Sequence, residues 1–121
     1  MAHVVNLPTF TDSRGSLTVI EKILPFEIKR AYFIYNATEE RGRHRHHKTI
    51  QALFCTSGSC NIFVHNKMGE HVYSLDKPNM CLILEPSDWH TMNDFSEGCV
   101  LFVLASEYFD KNDYIAEKVN D

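Results

Sequence analysis

The sequence predicts an all-β domain, a jelly roll or double-stranded β-helix, with a short C-terminal tail that is partly helical. Three observations predict it. Short apolar runs alternate with turn signals about every ten residues, which is the pattern of a sandwich or barrel. The turns carry residues suited to them. No long stretch shows a sustained helical period.

The candidate strands are 16–21, 30–35, 43–56, 60–65, 71–74, 80–84, 88–94 and 100–105. The turns between them follow from local chemistry. "TSGS" makes a hairpin at Gly58, and "NKMG" closes another at 66–69. "DKPN" and "EPSD" put Pro78 and Pro86 where a fixed φ suits a turn. Only the tail, 107–118, has room for helix, and its period is weak. About eight antiparallel strands in one chain close into a barrel that hides its edges and leaves a pocket at its mouth for a small ligand.

The bulk composition bounds the function. The 121 residues fit one domain, read here as 1–121, and 44% of them are apolar, with eight Phe and five Tyr to build a core. A formal charge of −4 argues against a nucleic-acid binder, because a phosphate backbone rewards a basic surface. The four cysteines, Cys55, Cys60, Cys81 and Cys99, form no C-x-x-C pair and sit in apolar runs, as buried thiols do in a reducing compartment. No apolar stretch approaches the ~18 residues of a membrane span, and the N-terminus lacks the basic and apolar segments of a signal peptide. The expectation is a cytoplasmic protein with no membrane partner.

The densest chemistry is "RGRHRHHK" at 41–48. Side chains on a strand alternate faces. His44 and His46 therefore share a face with Lys48, Ile50, Ala52 and Phe54, running from a polar mouth into a core. Arg43, Arg45, His47, Leu53 and Cys55 take the other face. Two imidazoles on one face, with His90 downstream in "PSDWHTMN", suit either of two chemistries. Three neutral nitrogens hold zinc with an open position. Alternatively, imidazoles in a partly dry pocket beside arginine resist protonation and act as bases near neutral pH. Arg14 and Arg41 are candidate anion ligands, each beside a glycine that lets a ligand approach the backbone, with a guanidinium fork that matches phosphate oxygens. Trp89 is a candidate platform for a sugar or base.

Several stretches occur in order: "DSRGSL", "PFEIKRAYFIY", "RGRHRHHK", "SGSC", "WHTMNDF" and "LASEYFDKNDYI". Together they resemble the nucleotide-sugar 3,4-ketoisomerases of the WxcM-like cupin family, over nearly the whole chain. The resemblance implies a dimeric cupin jelly roll that needs no metal or organic cofactor. It implies a dTDP-4-keto-6-deoxyglucose substrate whose keto group moves from C4 to C3. The 3-keto sugar then feeds an aminotransferase on the way to the deoxyamino sugars of surface polysaccharide or of glycosylated natural products. The paired histidines of the family motif match His44 and His46 and carry proton transfer, and the motif arginine matches Arg41. Proton abstraction beside a ketone needs a donor for the developing oxyanion. Tyr32 is the candidate, with Arg30 as helper. Arg14 and Arg41 contact the pyrophosphate or hold the histidines, and His90 lines the same mouth. The chain departs from the family pattern at Arg43, Arg45 and Ile50, the last where a glutamate is common. Two other classes compete with this expectation: a non-catalytic nucleotide-sugar binding module and a metal-dependent cupin enzyme.

Overall fold

The fold comes from a computed structural model that describes residues 1–119. Twelve strands build it: β1 (His3–Asn6), β2 (Thr9–Asp12), β3 (Gly15–Thr18), β4 (Arg30–Tyr35), β5 (Arg41–His46), β6 (Gln51–Ser57), β7 (Cys60–Asn66), β8 (Gly69–Leu75), β9 (Met80–Leu84), β10 (Trp89–Asn93), β11 (Val100–Ala105) and β12 (Tyr114–Ile115). One five-stranded sheet runs β1-β9-β6-β11-β4 and a second runs β12-β5-β10-β7-β8, with β2-β3 as a separate hairpin. Every pairing is antiparallel. This is the jelly roll that the sequence predicts. Among the described residues no helix is long and apolar enough to cross a membrane.

Two apolar layers result. Between the sheets lie Leu53, Ile62, Val64, Leu82, Leu84, Leu101 and Val103, together with Cys55, Cys60 and Cys99. On the outer face of the first sheet, Ala52, Phe54, Cys81 and Ile83 are roofed by Leu7, Ile20, Leu24 and Phe26 from the N-terminal segment. Strand β6 is therefore buried on both faces, and its near-continuous apolar run follows from that.

Three sequence expectations are corrected. The single strand expected over 43–56 is two strands, because 47–50 turn away to meet the C-terminal tail: the amides of His47 and Lys48 bond to the carbonyl and carboxylate of Asp113, at 2.9 Å each. The break resets the alternation. Leu53 and Cys55, expected outside, point into the core, while Ala52 and Phe54 face the roof. In the tail, helix is limited to one 3-10 turn, Lys111–Asp113, started by the Asp110 carboxylate accepting from the Asn112 amide, and the chain then adds β12 to the second sheet.

Candidate active site

The site is built where the outer edges of the two sheets, β4 and β5, face each other. A cavity of about 340 Å³ opens there, lined by Arg30 and Tyr32 of β4, Arg41 and His44 of β5, Met92 of β10 and Tyr114 of β12, among others. A bulge in β5 creates this arrangement. His44 pairs with His90 and Arg41 with Met92, so three residues of β5 span the distance of two on β10, and Arg43 is the extra one. Arg43 adopts φ +64°, and Gly42 φ +94°. Gly42 has no substitute, since a Cβ there would lie 2.9 Å from the His90 carbonyl oxygen. Strict alternation would put Arg41 and His44 on opposite faces, whereas the bulge puts both on the cavity.

His44, His46 and His90 form one cluster, with ring centroids 4.9 Å (44–46), 5.1 Å (44–90) and 6.1 Å (46–90) apart. His44 reaches the cavity wall, while His46 and His90 are buried behind it. The His90 Nδ1 lies 3.0 Å from the Asp88 carbonyl oxygen. A carbonyl only accepts, so Nδ1 carries the hydrogen and Nε2 keeps a bare lone pair. Neither the His90 nor the His46 Nε2 has a hydrogen-bond partner.

The electrostatics favour neutral rings. Burial pulls His44 below the ordinary histidine value, against an opposing pull from the Gly42 backbone. His46 falls to about 4, mainly by burial and then by the neighbouring His44, with Asp113 opposing. His90 falls to about 3 for the same first reason. Tyr32 moves the other way. Burial raises its phenol more than Arg30 lowers it, so it stays a donor. The Tyr32 hydroxyl accepts from Gln51 Nε2 at 3.0 Å, which leaves its own hydrogen free for a ligand, and the Arg30 guanidinium lies 5.0 Å from the Tyr32 ring centroid.

Two expected site residues stand elsewhere. Trp89 points to the opposite face of β10 from His90. It lies in an outer groove with Arg43 and Lys118 over its ring at 5.6 and 4.7 Å, and its indole donates to the Ala116 carbonyl at 2.8 Å. Arg14 caps the β2-β3 hairpin, 88% exposed and ion-paired to Asp12 at 2.6 Å, away from the histidine cavity of its own chain. His90 does not line the mouth; it is 0% exposed beneath it.

Sequence reading missed three residues. Tyr114 stacks on His44 with centroids 4.7 Å apart and planes 3° from parallel. Gln51 holds the Tyr32 hydroxyl. Asp113 ties the tail to the loop after β5 through Lys48 and Thr49. The "NDYI" stretch belongs to the resemblance, but only the folded tail brings it to the histidines. Among the described residues, the one group of three His, Cys, Asp or Glu side chains whose ligand atoms all lie within 4.8 Å is Cys55, Cys60 and Cys99, not the histidines.

The chain belongs to the FdtA family, described as WxcM-like, C-terminal, whose model matches residues 1–120. It is 44% identical to a TDP-4-oxo-6-deoxy-alpha-D-glucose-3,4-oxoisomerase from Aneurinibacillus thermoaerophilus, across 97% of this chain and 87% of that protein. Among solved structures it resembles a sugar 3,4-ketoisomerase from Thermoanaerobacterium thermosaccharolyticum in complex with TDP, with a TM-score of 0.91, 42% identity, and 96% and 88% of the two chains covered. A His-to-Asn mutant of that ketoisomerase, in complex with TDP-4-keto-6-deoxyglucose, matches with a TM-score of 0.91, 41% identity, and 96% and 87% coverage.

Proposed function

We propose that the protein is a sugar-nucleotide 3,4-ketoisomerase that moves the keto group of a TDP-linked 4-keto-6-deoxyhexose from C4 to C3, in the biosynthesis of deoxyamino sugars for surface polysaccharide. The observation that carries this reading is a cluster of three imidazoles kept neutral by burial, one of which faces a cavity that also holds a protonated phenol and an arginine. Family membership and the names of the relatives point to the same chemistry.

In this reading His44 removes the C3 proton as general base. Negative charge grows on O4, and Tyr32, with Arg30 beside it, stabilises it there. The carbon proton returns at C4 and the O3 proton passes to O4, so the product is a 3-keto isomer with the same atoms and no redox change overall. His46, and His90 behind it, relay protons. Arg41 holds the pyrophosphate, for which its fork is suited. The relay is supported by two unpartnered Nε2 atoms beside His44. The distribution of the ligand atoms, with the histidines spread more widely than the cysteines, supports proton transfer over joint coordination of a metal.

We read residues 1–121 as one domain and the working form as a cytoplasmic homodimer without nucleic-acid or membrane partners. Four free cysteines fit a reducing compartment. Phe33 and Tyr35, 54% and 61% exposed on the outer face of β4, are apolar surface of the kind that a second copy covers. Arg14 can bind substrate only at a second copy's cavity, since it stands off its own. Trp89 has no substrate role here.

The test is incubation with TDP-4-keto-6-deoxyglucose in deuterated water. Deuterium at C3 or C4, with a 3-keto product that a 3-aminotransferase traps, is expected. Tight binding with neither exchange nor product would leave a binding module. Activity lost to chelators and restored by a metal would replace the proton mechanism.

A further inference from the structure

We propose that Tyr114 is a positioning residue of the histidine site: its ring fixes the plane of the His44 imidazole and shields one face from water, so that a neutral lone pair is presented to the cavity. The inference rests on the ketoisomerase reading for what that lone pair does, and on geometry alone for the rest. The Tyr114 ring stacks on His44 as described and meets His46 edge-on, with centroids 5.0 Å apart and planes at 83°. One aromatic side chain thus sets both neighbouring imidazoles, in the offset and edge contacts that aromatic rings prefer. Phe109 abuts Tyr114 from another side, also edge-on, at 5.9 Å and 89°.

The tail that delivers this ring is fixed on both sides of it. Before Tyr114, the Asp113 carbonyl accepts from His47 and its carboxylate accepts from Lys48 and Thr49. After it, the Ala116 carbonyl accepts from Trp89 and the Glu117 carbonyl from Arg45, each at 2.8 Å. A segment with only one two-residue strand, β12, is thereby held from four points on β5, its following loop and β10. Such support is what a site needs when an ångström of displacement is costly. It also gives Trp89, Arg45 and Asp113 a shared purpose that the chemistry itself leaves open.

The groups that face His44 are Arg41 and His46 from β5, His90 from β10, Arg30 and Tyr32 across the cavity, and Tyr114. No carboxylate is among them, since Asp113 is turned to Lys48 and Thr49. A proton on His44 therefore gains no anionic partner. Lying over a tyrosine face, it would gain a cation–π attraction, which acts in the opposite sense to shielding. Burial nevertheless leaves His44 below the ordinary histidine value, so the loss of water prevails.

The experiment is an NMR pH titration of the His44 ring in the wild type, Y114F, Y114A and Y114N, with steady-state kinetics alongside. In Y114A and Y114N the His44 midpoint is expected to rise toward the ordinary value of about 6.5, and the acid limb of kcat/KM to rise with it. In those variants kcat is expected to fall by roughly 10- to 100-fold with KM nearly constant, as for a misplaced base. Y114F keeps the ring and is expected to keep both midpoint and kcat. Folded Y114A or Y114N with an unmoved or lowered midpoint overturns the proposal. A Y114F midpoint that moves overturns it too, and that arm stands even where the smaller side chains prevent folding. Should the wild type fail to isomerise any TDP-4-keto sugar, the functional reading falls, while the titration still decides what Tyr114 does to His44.

Discussion

The same barrel buries two clusters of titratable side chains, and they differ in what surrounds them. Cys55, Cys60 and Cys99 sit among Leu53, Ile62 and Leu101, with Cys55 Sγ 3.4 Å from Cys60 Sγ and 3.8 Å from Cys99 Sγ. His44, His46 and His90 sit beside a cavity with a phenol and two guanidinium groups. Burial disfavours the charged form in both, with opposite consequences. It drives the thiols up, Cys99 to about 11, so they stay protonated and inert. It drives the imidazoles down, so they stay unprotonated and become bases at neutral pH. One physical effect disarms one cluster and arms the other, and the open cavity makes the second useful.

The sharpest way to break this contrast is His44→Asn. Asparagine keeps hydrogen bonding but cannot take a proton, so turnover is expected to fall by about 10³-fold, within the usual range for a lost acid–base group. Affinity for TDP and the unfolding midpoint are expected to stay close to wild type. Stopped assays with the 4-keto substrate, together with calorimetric titration of TDP, measure both, and full turnover in this variant would remove His44 as the base. The complementary change is Cys55→Ser. A hydroxyl in that apolar layer is expected to cost about 1–3 kcal/mol of stability, read by urea unfolding, with kcat unaltered. A thiol variant that lost turnover while keeping its stability would join the two clusters functionally and end the contrast.

The fold was legible because β-signals are local. Alternation in β7, turns at Gly58 and Pro78, and the absence of a helical period all act within a few residues. His44 and His46 were legible for the same reason, since one residue separates them on a strand. What could not be read depends on interruptions and on distant chain. The bulge at Arg43 brings Arg41 onto the cavity face, and no period reveals it. The loop after β5 turns away to satisfy Asp113, some 65 residues on, and flips Leu53 and Cys55 inward. Trp89 was misplaced because neighbouring His90 lies on the other face of β10, so adjacency in sequence meant separation in space. Arg14 lies on a hairpin whose placement against any second copy no single-chain pattern specifies.

The gentlest probe of the contrast is pH, because it leaves the sequence untouched. An unfolded histidine titrates near 6.5, whereas His46 and His90 in the fold titrate at about 4 and about 3. Above pH 6.5 neither state binds these protons, so they add no pH dependence. Below it the unfolded chain takes them up and the fold does not, so stability falls as pH falls toward the folded values. For the fully buried His90 the slope is at most ~1.4 kcal/mol per pH unit. The thiols titrate far above this window and contribute nothing to it. Urea unfolding from pH 7 to pH 5 is therefore expected to show a decline that flattens in His90→Gln and persists in Cys55→Ser. An equal slope in the wild type and His90→Gln would mean that His90 carries its proton in the fold, and the neutral cluster on which the base at His44 depends would be lost.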